Sequence, residues 1–162
     1  MKILHFNVGI IETNCFLVTD KEAGESVLVD PGAMSPRLEA ALKEHNVKYI
    51  LLTHGHYDHI LGVAEAKRMT GADVIISAEG ADGLYDDEKS RAGLHFPEPQ
   101  EHLYADRTLS DGDEIAFGNK ATALPGLAKT QLLQLRDHHH GAGIVNRRIL
   151  DVVRCEPGLR KH

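Results

Sequence analysis

The chain has 162 residues, 42% of them hydrophobic and 26% charged, and its formal net charge is −6 at pH 7. This length and composition are typical of one globular domain in the cytoplasm, and no apolar run approaches the roughly 20 residues of a transmembrane helix or resembles a signal peptide. The two cysteines, Cys15 and Cys155, are too few for a disulfide framework and lack the spacing of a zinc knuckle.

Three short strands are predicted first, over Ile3–Val8, Cys15–Thr19 and Ser26–Val29. These stretches are apolar and rich in β-branched residues, and turn formers such as Asp20 and Gly24 separate the second from the third. The pattern predicts an antiparallel meander.

A helix is predicted after the turn at Asp30–Gly32. Ser35 is a good N-cap and Pro36 suits the first helical position. The residues that then recur at helical spacing are Leu38, Ala41, Leu42 and His45. The compact apolar run Lys48–Thr53 has the length of a strand.

A second helix is predicted over Ile60–Thr70, where Gly71 is placed to end it. Val74–Ser77 and Glu114–Phe117 follow as short strands. The polar, mixed residues 79–108 between them predict a helical or loop insertion over the mouth of a site. Strands that alternate with helices in this way indicate a layered α/β domain.

A cluster of three histidines and one aspartate follows the strand at Lys48–Thr53. Its members are His54, His56, Asp58 and His59. Imidazole nitrogens and carboxylate oxygens are the ligands that zinc and similar divalent ions prefer. In a sharp turn His54 and His56 can face one ion while Asp58 and His59 face a second, about 3.5–4 Å away. The alternative, a polar loop that merely caps a helix, is disfavoured because a cap needs only one such side chain.

Residues Thr53–His59 match the THxHxDH signature of the metallo-β-lactamase superfamily. Three further segments resemble its glyoxalase II-like branch, namely Thr13–Val18, Val27–Gly32 and residues 111–115. The resemblance covers residues 1–118. It implies an αββα sandwich that binds one or two zinc ions, with iron or manganese as alternatives. It also implies hydrolysis of a small-molecule thioester, such as a hydroxyacyl-glutathione, by a metal-bound hydroxide.

The resemblance also assigns roles to single residues. His54 and His56 resemble the ligands of the first metal, and Asp58 and His59 those of the second, with Asp58 also the candidate catalytic residue. Asp30 resembles an aspartate that orients ligands through hydrogen bonds. An ordinary turn-starting aspartate before a proline is an equally good interpretation of Asp30.

The match to the family ends after residue 118. Where the family has a third histidine ligand, in a Pro-Gly-His-Thr turn, this chain has Leu127, which offers no donor atom. Asp151 lies at about the distance of the family's bridging aspartate but lacks the preceding glycine, and it is kept as a candidate metal ligand. The run His138–His140 would not converge on one ion if it were extended, so adventitious metal binding is the preferred interpretation.

Residues 119–162 also differ from the rest in composition. They hold eight basic and three acidic residues, a net charge of +5, whereas residues 1–118 hold 10 basic and 21 acidic residues, a net charge of −11. No aromatic residue follows Phe117, so the basic segment does not predict a nucleic-acid partner. The hypothesis is that this is an atypical C-terminal segment of the same domain, truncated or altered by a shifted reading frame or gene end. Translation of the coding DNA in the other two frames would test it.

Three functions are consistent with these patterns. The first is a metal-dependent thioester hydrolase with neither a nucleic-acid nor a membrane partner. The second is a catalytically inactive remnant that binds metal weakly because it lacks the third histidine. The third is another superfamily hydrolase that acts on β-lactams, sulfur compounds or nucleic acid. The oligomeric state is left open.

Overall fold

The computed structural model describes residues 2–95, 100–110, 113–118 and 120–123, and a six-stranded mixed sheet lies at their centre. The strands occur in the sheet in chain order, as β1 Lys2–Val8, β2 Thr13–Thr19, β3 Glu25–Val29, β4 Asn46–Leu51, β5 Asp73–Ser77 and β6 Arg107–Leu109. Strands β1 to β3 pair antiparallel, which confirms the predicted meander. Strands β3 to β6 pair parallel, so their carboxyl ends meet at one edge of the sheet.

Two helices, α1 Pro36–Glu44 and α3 Val63–Thr70, pack on one face of this sheet. The Ser35 hydroxyl accepts a hydrogen bond from the Leu38 amide at 3.2 Å, so the predicted N-cap is confirmed. Buried side chains from the helices and strands form one apolar cluster, which includes Leu17, Leu28, Leu38, Ile50, Val63 and Ile76. This face of the sheet carries the main hydrophobic core.

The helix predicted from Ile60 to Thr70 is confirmed over Val63–Thr70, where Gly71 ends it, but its start is three residues later than predicted. A short helix, α2 Tyr57–Ile60, ends before Gly62, and α3 starts after it. The Gly62 amide donates a hydrogen bond to the Pro31 carbonyl at 2.8 Å instead of continuing α2. A Cβ at Gly62 would lie 2.6 Å from that carbonyl oxygen, so the close contact needs glycine. The break ties the start of α3 to the turn after β3.

The opposite face of the sheet packs against the hairpin of β7 Glu114–Phe117 and β8 Lys120–Ala123. Ile115 and Phe117 of this hairpin are buried in a second cluster with sheet residues that include Phe16, Val18, Val27, Val29, Leu51 and Ile75. Helices on one face and a second sheet on the other are the layers of the predicted α/β sandwich, which is confirmed in the described residues.

Residues between β5 and β6 form a 3-10 helix, Ala78–Leu84, and two short helices, α4 Asp87–Ser90 and α5 Ala92–His95. For residues 79–108 a helical or loop insertion was predicted, and its described part is helical except for strand β6, which was not predicted. None of the helices in the part of the chain that the structure describes is long and apolar enough to cross a bilayer.

Candidate metal centre

The histidine loop lies at the carboxyl edge of the sheet, directly after β4. Its neighbour in the sheet is β3, whose own end leads into Asp30. The Asp30 amide donates a hydrogen bond to the Leu51 carbonyl at 3.1 Å, so the ends of the two strands are held together. Parallel pairing of β3 and β4 therefore places the buried aspartate beneath the loop that carries the histidines.

His54, His56 and Asp58 form a group that could hold a metal ion. Each offers one ligand atom, and these atoms lie within 4.8 Å of one another. The ring of His59 also belongs to this cluster, because its centroid lies 4.1 Å from that of His54. The structure thus brings together all four candidate ligands of the loop. The ligand atoms of Asp58, His54 and His56 lie together as one group. The assignment of His54 and His56 to one ion, and of Asp58 and His59 to a second, stays a prediction.

Asp30 is fully buried and contacts the loop with both carboxylate oxygens. Its Oδ1 accepts a hydrogen bond from the Thr53 amide at 2.8 Å, and its Oδ2 accepts one from the Thr53 hydroxyl at 2.7 Å. The same Oδ2 lies 3.0 Å from Nδ1 of His59. Asp30 also has a φ of 48°, a strained conformation for a residue with a side chain. These contacts go beyond those of a turn-starting aspartate.

His59 lies between two carboxylates. Its Nδ1 faces Asp30 and its Nε2 lies 3.1 Å from Oδ2 of Asp58. Burial opposes the charged imidazolium, yet the charges and hydrogen bonds of Asp30 and Asp58 raise the pKa of His59 to about 10. In the metal-free chain these carboxylates therefore favour the protonated ring, and metal binding at His59 would release a proton.

Two further candidate ligands, Asp58 and His54, have pKa values shifted toward the form that binds metal. Burial raises the pKa of Asp58, but the hydrogen bond and charge of His59 outweigh it, so the net pKa lies below the usual value. Burial lowers the pKa of His54 well below its usual value, and the nearby charges of His59, His56 and Arg91 lower it further. A carboxylate and a neutral imidazole are metal ligands, so the donor set fits a divalent ion.

Close backbone contacts hold the loop in place. A Cβ at Gly55 would lie 2.3 Å from the Gly80 carbonyl oxygen, and a Cβ at Gly83 would lie 2.3 Å from the Gly55 carbonyl oxygen. A Cβ at Gly32 would lie 1.7 Å from the Asp58 carbonyl oxygen. The 3-10 helix and the turn after β3 therefore approach the ligand loop more closely than any other residue type would allow.

Three residues near the site were not singled out from the sequence. Thr53 contacts Asp30, and Thr13 donates a long hydrogen bond to Oδ2 of Asp58 at 3.4 Å. Arg91 reaches His54 electrostatically from the loop between α4 and α5. The threonine in the Thr-His-Gly-His run is the one signal that could have pointed to Thr53.

Several candidates from the sequence lie outside the described residues. They are Asp151, Leu127 and the run His138–His140. Their contribution to the site stays a prediction, as does the altered character of residues 119–162.

Comparison with known proteins identifies a family. A model of the metallo-beta-lactamase superfamily matches residues 8–154, so the family match extends past residue 118, where the sequence predicted that it ends. An uncharacterized protein from Aquifex aeolicus is 32% identical over 119 residues, which are 69% of this chain and 53% of the relative. A UPF0173 metal-dependent hydrolase from Staphylococcus aureus is 46% identical over 61 residues, 37% of this chain and 27% of that protein. The chain thus spans about half the length of the first relative and less of the second.

Solved structures give the same fold. The B3 metallo-beta-lactamase BLEG-1 aligns with a TM-score of 0.69 and 24% identity, over 75% of this chain and 59% of that one. A protein crystallised in a di-iron-bound form aligns with a TM-score of 0.57 and 28% identity, over 69% of this chain and 56% of that one. A class B3 di-zinc metallo-beta-lactamase from an Alaskan soil metagenome aligns with a TM-score of 0.55 and 27% identity, over 68% of this chain and 44% of that one. The glyoxalase II-like branch stays a prediction.

Proposed function

Because this chain belongs to the metallo-beta-lactamase superfamily, we propose that it is a metal-dependent hydrolase that cleaves a small-molecule thioester. One observation carries the proposal. His54, His56 and Asp58 present ligand atoms within 4.8 Å of one another, on a loop where buried groups hold two of the rings.

The residues that would hold the metal are His54, His56, Asp58 and His59. We propose zinc, because imidazole and carboxylate ligands suit it and a similar protein of known structure is a di-zinc enzyme. Iron is the alternative, since another similar structure is di-iron-bound, and manganese also accepts these ligands. When bound, such an ion polarises a substrate carbonyl and lowers the pKa of a coordinated water.

The side chains of the loop have separate tasks in this proposal. Asp58 is the candidate catalytic residue, because its carboxylate stays ionised beside the other ligands and can accept a hydrogen bond from the attacking water. His59 lies between Asp58 and Asp30, and its Nε2, which faces Asp58 in the metal-free chain, is the nitrogen that would bind the metal. The buried ring of His54 closes the bottom of the site to bulk water.

The thioester substrate is supported by the segments that resemble the glyoxalase II-like branch, above all Thr13–Val18 and Val27–Gly32. These form the described strands β2 and β3, next to the histidine loop. A cytoplasmic location and the absence of nucleic-acid and membrane partners belong to the same proposal.

Two alternatives have their own support. Hydrolysis of a β-lactam is favoured by the similarity to solved B3 metallo-beta-lactamases, one of them 27% identical. An inactive remnant is favoured by the ligand count, because a catalytic zinc commonly has three protein ligands and a water. The described loop offers four candidate ligands, His54, His56, Asp58 and His59, which is at most two for each of two ions.

Metal content of the untagged chain after exhaustive dialysis tests the metal site first. Retention of about two equivalents would support a binuclear site completed by further residues, among them Asp151. Retention of much less than one equivalent would contradict the hydrolase and support the remnant.

Turnover tests the reaction. The chain should release thiol from a hydroxyacyl-glutathione and leave a chromogenic β-lactam intact. Asp58→Asn should lower kcat by about 10²–10⁴-fold, which is the typical contribution of a positioned proton-transfer group. Asp73→Asn is the matched control, because Asp73 is an exposed residue at the start of β5. Faster turnover of the lactam than of the thioester would contradict the proposed substrate.

A further inference from the structure

The hydroxyl of Thr53 stands between a buried carboxylate and a candidate metal ligand. It donates to Oδ2 of Asp30 at 2.7 Å, and it lies 3.0 Å from Nδ1 of His54. The three side chains are almost entirely shielded from solvent. Water cannot replace either contact without opening the core beneath the loop.

The chemistry of these groups fixes the direction of both hydrogen bonds. A threonine hydroxyl has one hydrogen, which Thr53 gives to the Asp30 carboxylate, an acceptor without a hydrogen of its own. Toward His54, the hydroxyl oxygen can therefore act only as a hydrogen-bond acceptor. Nδ1 of His54 must therefore carry the hydrogen in this contact, and Nε2 is then the nitrogen with the free lone pair.

From this arrangement we infer that Thr53 is a positioning residue, which holds His54 in the Nδ1–H tautomer and leaves Nε2 to bind the metal. The inference rests on the metal site of the proposed function. It gives the Asp30 carboxylate two lines of contact with the ligand set, one through Thr53 to His54 and one directly to His59.

The backbone of Thr53 strengthens the same connection. Its amide donates to Oδ1 of Asp30 at 2.8 Å, so both carboxylate oxygens are engaged by one residue. Asp30 cannot rotate away from the hydroxyl without also losing the amide. The hydroxyl thereby has a fixed place from which to accept the hydrogen of the His54 ring.

Zinc affinity of the full chain tests the inference. Thr53→Val keeps the shape of the side chain but removes the hydroxyl, and we expect it to weaken Zn²⁺ binding 10–100-fold in competition with a chromogenic chelator. Thr53→Ser keeps the hydroxyl and should retain most of the affinity. Thr19→Val is the control, because it removes a hydroxyl that contacts Ser26 within the sheet. Wild-type affinity in Thr53→Val would overturn the inference.

The tautomer can be measured without any variant at residue 53, in case Thr53→Val does not fold. In the metal-free chain with ¹⁵N-labelled histidine, couplings between ring nitrogens and carbon-bound protons distinguish a protonated nitrogen from a bare one. His54→Gln would assign the signals. A protonated Nδ1 on His54 supports the inference, and a protonated Nε2 overturns it. Neither readout involves turnover, so a chain that binds zinc yet hydrolyses nothing would contradict only the proposed reaction.

Discussion

The metal-binding loop has a buried side and an open side. On the buried side, His54 is 2% exposed and the His59 side chain 12% exposed, and Asp30, which lies beneath both, is fully buried. On the open side, the Asp58 side chain is 19% exposed and His56 is half-buried. Thr13 contacts Asp58 only through a long hydrogen bond of 3.4 Å.

The difference separates the groups that position the site from those that meet a substrate. A buried polar group without its partner is costly, because no water can replace the lost hydrogen bond. Changes on the buried side should therefore lower both stability and metal affinity. Loss of a contact that supports a ligand on the open side, such as the one from Thr13 to Asp58, should have little effect on stability or on metal affinity.

The largest effect is expected from Gly55→Ala. The new Cβ would lie 2.3 Å from the Gly80 carbonyl oxygen, so the backbone between two ligands must shift. We expect the free energy of unfolding, measured with urea, to fall by about 3 kcal/mol, at the upper end for overpacking. Gly93→Ala is the control, because nothing lies within 4 Å of a Cβ there. Equal effects of the two changes would contradict the tight contact.

A smaller effect is expected from Asp30→Asn. The change removes the negative charge beside His59. The amide nitrogen that replaces one carboxylate oxygen cannot accept a hydrogen bond, so the Thr53 amide or the Thr53 hydroxyl loses its acceptor. We expect a loss of about 2 kcal/mol in the free energy of unfolding, because buried donors lose their acceptor. Zinc affinity should fall together with stability. An unchanged affinity would show that Asp30 only starts a turn.

The pH dependence of the metal-free chain reports on His59. Burial opposes its charge, but Asp30 and Asp58 raise its pKa from the usual 6.5 to about 10 in the folded chain. The stabilisation is fully present below the unfolded pKa and is lost as the pH rises through the folded pKa. Unfolding in urea with a chelator present should therefore show a decrease of about 1.4 kcal/mol per pH unit between these values. If the same slope persists in His59→Gln, another group causes it.

The smallest effect is expected from Thr13→Val on the open side. The hydroxyl donates only a long hydrogen bond to Asp58, so its loss should cost less than about 0.5 kcal/mol, the lower end for a net hydrogen bond. Zinc affinity should stay close to that of the unchanged chain. A loss as large as that of Thr53→Val would remove the distinction between the two sides.

Much of the fold could be predicted from local patterns. The meander β1–β3, the capped start of α1 at Ser35 and the strand β7 occur where the sequence indicated them. These elements are determined by alternation, by a capping side chain and by turn formers, all of which act over a few neighbouring residues. The four candidate ligands were also visible, because they share one short loop.

The missed features depend on residues that are distant in sequence. The break at Gly62 is caused by the Pro31 carbonyl. Strand β6 has three residues and forms because β5 offers it an edge. Arg91 lies close enough to His54 to lower its pKa, although the 3-10 helix and α4 lie between them in the chain. None of these contacts leaves a local pattern.

The sequence alone determined which atoms the site can offer, because imidazole and carboxylate groups are a property of His54, His56, Asp58 and His59. The tertiary structure decided how these atoms are held. Parallel pairing of β3 and β4 places the Asp30 carboxylate beneath Thr53 and His59, across 23 positions in the chain for the Thr53 contact. Packing also places the charges that shift the pKa values of Asp58 and His59, whereas burial itself lowers the pKa of His54. Burial makes each hydrogen bond costly to lose, and it is a property of the packed molecule rather than of any segment.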